Sequence, residues 1–323
     1  MSLTIPVSIF LSSLVGRDES LLSVLDTVVD LEQRGIHAVW ASDGLRTDSL
    51  GLLALAASRT ERIGLGTAIV QTWPRHPIVV AQQAQLVNAV SDGRLRLGLG
   101  PGHAPSMAAT YGYGFDRPLS HVREYVQIVR ALLQDGAVDV DGERFHAHAT
   151  LRADGLGAPV LISALSEQMC RLAGSVADGV IVWLAPPSYV ASTVAPMVRE
   201  GAARAGRPAP AIIAGAPATV ADDAQAVRDT VRATFGVYPS LPFYAALFRK
   251  AGLAGSERAL EDGWSDAMVD AVIPSGGESR LAERVEEYRL AGADEVLLAP
   301  FAAGRATVGD TLDALTALSG AAP

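Results

Sequence analysis

Short runs of aliphatic and β-branched residues alternate along the whole chain with longer stretches in which apolar positions recur every three or four residues. That alternation predicts βα units feeding a parallel sheet. The runs that read as strands are Val7 to Leu11, Ala38 to Ala41, Ile63 to Val70, Leu95 to Leu99, Val160 to Ser163, Gly179 to Leu184, Ala211 to Gly215 and Val296 to Ala299. Eight of them match the strand count of a (β/α)8 TIM barrel. Between them, Asp18 is expected to cap a helix that runs to Arg34 and stops at Gly35, with Leu21, Leu25, Val28 and Leu31 on one face. Similar helices are expected after Asp48, after His76 and after Ser120.

Two segments depart from the alternation. Val138 to Phe145 places Asp141-Gly142 between alternating runs, the mark of a hairpin turn, and predicts a hairpin insertion near 137–148. A second insertion is expected near 236–264. Phe235, Tyr238, Phe243, Tyr244 and Phe248 crowd its first half or stand just before it, so it should cover something apolar. No repeat or low-complexity linker divides the chain, and residues 1–323 read as one barrel domain.

Composition narrows the function. Hydrophobic residues make up 49% of the 323 and charged residues 19%, which excludes disorder. The longest apolar runs, Leu50 to Ala57 and Val296 to Ala303, are far shorter than the roughly 18 residues of a membrane span. With no basic n-region before the first apolar stretch, a cytoplasmic protein is expected. A net charge of −9 argues against a nucleic-acid partner, and the single cysteine, Cys170, precludes an internal disulfide or a thiolate zinc site.

Several familiar chemistries fall away. Gly98-Leu99-Gly100-Pro101-Gly102 is followed by His103 where a dinucleotide fingerprint needs its third glycine, and Ala104-Pro105 is not expected to open a helix. His146 and His148 would share one face of a strand with no third ligand nearby, so no metal site is expected. Cys170 sits in a helical pattern and reads as a packed thiol. Neither a Gly-x-Ser-x-Gly elbow nor a Walker loop is present. The polar residues and glycines that remain fall just after strands, where a barrel carries its site. They are Ser42-Asp43-Gly44, Gln71 to Pro77 and Gly100-Pro101-Gly102-His103. Glycines there would either let a planar ring approach the backbone or simply form tight turns.

Gly64-Leu65-Gly66-Thr67-Ala68-Ile69, then Arg75-His76-Pro77, Ala81-Gln82-Gln83 and Ser91 through Gly102, resemble the luciferase-like monooxygenase superfamily, and more narrowly its deazaflavin (coenzyme F420)-dependent oxidoreductases. The likeness continues through Pro159 to Ile162, Ala177 to Val180 and Ala291 to Asp294. It implies a bacterial luciferase-like barrel whose third strand ends in a bulge with a non-prolyl cis peptide at Ala68-Ile69, behind the cofactor ring. Gly66, Thr67, Ala68, Ile69, Gly100, Pro101 and Gly102 would then line the cofactor. The family's phosphate turn falls at Ala164, Leu165, Ser166, Gln168 and Met169, where Ser166 also reads independently as a helix N-cap suited to an anion. Arg284 matches a basic phosphate contact in some relatives, or is an exposed arginine among glutamates.

Two departures alter the expected chemistry. Many deazaflavin-dependent relatives carry Asp-His where this chain has Asp43-Gly44, and some place a glutamate acid where this chain has His103. Asp43 and His103 are the candidate catalytic residues: Asp43 would orient or hydrogen-bond the ring, and His103 would act as acid/base or only order water or the cofactor. The expected activity is hydride transfer between the F420 C5 and a small organic substrate, by a homodimer. An FMN-dependent monooxygenase is the alternative, and a phosphate-site isomerase or aldolase without redox cofactor a third reading. The third has only Lys250 for Schiff-base chemistry.

Overall fold

A computed structural model of the chain describes residues 5–14, 20–45 and 47–319. The strands, in chain order, are β1 (Val7–Phe10), β2 (Ala38–Ala41), β3 (Gly64–Thr67), β4 (Val70–Gln71), β5 (Leu95–Gly100), β6 (Ala137–Asp141), β7 (His146–Thr150), β8 (Val160–Ser163), β9 (Gly179–Trp183), β10 (Ala211–Ala218) and β11 (Glu295–Pro300). Among the described residues, eight parallel strand positions close a barrel, with β4 continuing the line of β3. β1 lies between β11 and β2, and the ring closes where β3 pairs with β5 at Leu65 and Leu95. β6 and β7 form an antiparallel hairpin outside the ring, as the Asp141-Gly142 turn predicts.

The lumen is filled in layers. At its N-terminal end Glu295 accepts hydrogen bonds from Ser8 Oγ at 2.5 Å and Trp40 Nε1 at 2.9 Å, and pairs with Arg96. Burial by itself would raise the Glu295 pKa, but Arg96 and Ser8 hold the carboxyl below its ordinary range. Above this plug pack Leu161, Ile181, Ile213 and Leu297. Two tryptophans fit inside because glycines face them across the sheet. Trp40 is in register with Gly66, and Trp183 with Gly215. A Cβ on Gly66 would lie 2.2 Å from the Trp40 ring, and one on Gly215 would lie 2.6 Å from the Trp183 ring.

Helices cover the outside of the ring with their apolar faces, as in Leu21–Gln33, whose Val24, Leu25, Val28 and Leu31 are buried. Its cap is Ser20 rather than Asp18, which lies outside the described residues; Ser20 Oγ accepts from the Leu22 amide. Asp48 and His76 do cap the helices Ser49–Ala57 and Pro77–Val90. The helix expected after Ser120 begins earlier, at Pro118, because proline at the first position gives up an amide that would have no acceptor anyway. A helix does open at Ala104–Tyr111, contrary to the expectation from Ala104-Pro105, again with proline in its first turn. The third run is broken in two by a cis peptide at Ala68-Ile69. No helix among the described residues is long and apolar enough to cross a membrane.

Candidate functional site

The C-terminal ends of the strands surround a cavity of about 510 Å³. That size suits a small-molecule site, and this end of a barrel is where such sites lie. Ala68 and Ile69 line it, so the break in the third strand faces the cavity. Asp43 brackets this bulge. Its amide donates to the Ile69 carbonyl at 2.9 Å, while its carboxylate accepts from the Gln71 amide at 3.2 Å, from Ser49 Oγ at 2.7 Å and from the Ser49 amide at 3.1 Å. Arg75 lies 3.4 Å away on the same carboxylate. Both carboxylate oxygens are thus engaged by groups on or beside the bulge. The following loop is backed by Trp73, stacked on His121 at 3.8 Å between ring centres.

His103 follows Gly102, whose φ of +69° turns the chain into the cavity. The imidazole has no hydrogen bond among the described residues, and burial lowers its pKa below the ordinary 6.5, leaving it neutral at pH 7. Opposite stands Tyr244 from the insertion helix Pro242–Lys250, with ring centres 5.6 Å apart. Tyr238 meets the Tyr244 ring edge-on at 5.0 Å, and Phe243 lines the cavity beside them. Phe10 and Trp183, 5.1 Å apart, form another wall.

One side of the cavity reaches the helix Glu167–Val176. Ser166 caps it, accepting from the Met169 amide at 3.3 Å. Amides of a first turn have no intrahelical acceptor, and the helix dipole favours an anion at this end. Glu167 would oppose an anion, but its charge is paired with Arg171 and Lys250.

Of the residues expected to hold a cofactor, Ala68, Ile69, Pro101, Gly102, Leu165, Ser166, Gln168 and Met169 line this cavity. Gly66, Thr67, Gly100, Ala164 and Arg284 do not. Gly66 makes room for Trp40, and Thr67 Oγ1 accepts from the Gly98 amide and donates to the Gly98 carbonyl, both at 2.8 Å. A Cβ on Gly100 would lie 2.2 Å from Ser163 Oγ, so its missing side chain serves strand packing. Arg284 is 8% exposed, neither a cavity residue nor a surface one; it donates to the Ala271 carbonyl and pairs with Glu287. Gln71, expected at the rim, also lines the cavity, and so do Phe10, Ser163 and Trp183, which the sequence pattern does not single out although each ends a strand, a signal that the rim rule could have used.

The alternatives lose ground. His146 and His148 do have carboxylate neighbours, Asp141 and Asp139, because the hairpin pairs these positions across its strands. These are exposed ion pairs, and no group among the described residues is placed to hold a metal ion. Cys170 is buried and its thiol is pushed up to about 12, which keeps it protonated. Lys250 ends the insertion helix beside Glu167 and does not line the cavity.

Comparison with known proteins places this geometry. A 5,10-methylenetetrahydromethanopterin reductase of Archaeoglobus fulgidus is 26% identical over 296 residues, 82% of this chain and 86% of that protein. An F420-dependent glucose-6-phosphate dehydrogenase of Nocardia farcinica is 32% identical over 201 residues, 57% of this chain and 60% of its own. The solved structure of an F420-dependent secondary alcohol dehydrogenase in complex with an F420-acetone adduct shares the fold, with a TM-score of 0.79 and 19% identity over 98% of both chains. Residues 1–295 match the family described as luciferase-like monooxygenase, and the chain belongs to that family.

Proposed function

We propose that this chain is a coenzyme F420-dependent oxidoreductase, one barrel domain over residues 1–323, acting in the cytoplasm on a small organic substrate. The observation that carries the reading is that one cavity joins the Ala68-Ile69 bulge to the N-terminus of the helix Glu167–Val176. A planar ring with an anionic tail fits such a span. The relatives with F420 in their names support the deazaflavin over FMN.

The deazaflavin, when bound, supplies hydride chemistry at its C5. Ala68 and Ile69 would back the ring, while Ser166 and the first turn after it would take the phosphate. Asp43 holds the bulge in place. His103, neutral near pH 7, is suited to accept the hydroxyl proton of an alcohol; its protonated form, reached at lower pH, would serve the reverse reaction. The aromatic insertion shields the site from water. A homodimer accords with the outward Leu55, Val79, Leu86 and Val90 on two neighbouring helices.

Anaerobic turnover tests the reading against oxygen chemistry. With F420 and no oxygen, a substrate from an alcohol and ketone panel should change the cofactor's redox state. Turnover that requires both FMN and oxygen would instead establish the monooxygenase alternative.

A further inference from the structure

Two polar side chains, His103 and Tyr244, line the cavity with their ring centres 5.6 Å apart. Tyr244 is 3% exposed, and its hydroxyl has no hydrogen-bond partner among the described residues although the residue lines the cavity. Its ring is fixed by Tyr238 on one side and Phe248, 6.1 Å away, on the other. His103 stands across from it, equally without a partner. Buried polar groups in folded proteins are nearly always hydrogen-bonded, so the Tyr244 hydroxyl, left open beside the half-buried His103, awaits an oxygen from a ligand. Phe10, Phe115, Trp183 and Phe243 line the same cavity, and the described lining residues bring neither lysine nor arginine. A carboxylate or phosphate on the substrate would meet no counter-charge there.

We propose that the substrate is an uncharged alcohol or ketone with a bulky apolar body, its oxygen held between His103 and the Tyr244 hydroxyl. This rests on the oxidoreductase reading above and narrows its alcohols and ketones to uncharged, bulky apolar ones, with a second polar contact, Tyr244.

Calorimetric titration of the full-length protein, with and without saturating F420, tests the proposal using 4-methylcyclohexanone and 4-oxocyclohexanecarboxylate. The neutral ketone should bind at least about tenfold more tightly than the anion, because a desolvated unpaired charge is costly. Tyr244→Phe should weaken the ketone by about 2- to 10-fold, the worth of one hydrogen bond, while F420 affinity and melting temperature stay unchanged. Equal or tighter binding of the carboxylate overturns the proposal, and so does unchanged ketone affinity in a folded Tyr244→Phe. If that variant does not fold, the neutral-against-anionic comparison on the unaltered protein still decides the substrate class. Ketone preference without any F420 binding would defeat the cofactor reading alone; F420 binding without ketone preference would defeat this inference alone.

Discussion

The amide of Asp43 donates to the carbonyl of Ile69 at 2.9 Å, and the Asp43 carboxylate accepts from the Gln71 amide two residues further on. One residue at the end of β2 thereby holds both sides of the bulge that faces the cavity. Asp43→Asn keeps the size but turns one acceptor oxygen into a donor, which opposes either the Gln71 N–H and Arg75 on Oδ2 or the Ser49 N–H on Oδ1. Hydrogen bonds to charged groups contribute about 1.5–3 kcal/mol, so F420 affinity should fall by about 10- to 100-fold while far-UV circular dichroism is retained. Unchanged affinity would show that the carboxylate does not hold the bulge.

The His103 pKa lies below 6.5 because burial disfavours the charged ring. In the direction of alcohol oxidation the neutral form is active, so the rate should rise with pH through that lowered pKa and then level off. In the direction of ketone reduction the rate should fall over the same interval. His103→Gln should remove this limb and reduce turnover by about 10²- to 10⁴-fold with little change in F420 affinity. Near-normal turnover combined with weaker cofactor binding would make His103 a positioning residue.

Gly66 distinguishes barrel packing from cofactor contact. A methyl group there would collide with Trp40, and overpacking of this kind typically costs about 1–3 kcal/mol. Gly66→Ala should lower stability to denaturant by that amount, while F420 affinity per folded molecule stays the same. Selective loss of F420 affinity at full stability would restore Gly66 to the cofactor site.

Gly66 shows how far sequence reasoning reaches: its packing role depends on a residue distant along the chain. Strand runs such as Val160–Ser163 were legible because parallel strands are buried on both sides, and Ser166 because a cap is a local hydrogen bond. The partner of Gly66 is Trp40, 26 positions earlier, and only the β2–β3 register brings them together. The contacts of Arg284 are equally out of reach of local pattern: its partner Ala271 comes from the preceding helix. The bulge at Ala68-Ile69 was reached through family likeness, since nothing in the apolar pattern of 63–70 marks a break. His146 and His148 found their carboxylates through hairpin pairing, a relation invisible to spacing along one strand.

His121 ties stability to pH. Burial first, and then the charge of Arg144, lowers its pKa from 6.5 to about 4. A folded pKa below the unfolded one means that the unfolded chain binds the proton more readily. The contribution is thus fully present above pH 6.5 and is lost as pH falls toward 4, by up to about 3 kcal/mol. Urea unfolding at pH 8 and pH 5 should show this slope, and His121→Asn should flatten it while costing stability at both pH values through the lost Trp73 stack. Equal slopes would mean that other groups carry the acid sensitivity.

The central claim is that the rim cavity holds a deazaflavin, and titration of the purified protein with oxidised F420 and, separately, with FMN tests it most directly. F420 should bind appreciably more tightly than FMN, and Ser166→Ala should weaken that binding by removing the cap that orders the phosphate turn. Equal or tighter FMN binding, or F420 binding that ignores both Asp43→Asn and Ser166→Ala, would contradict the account.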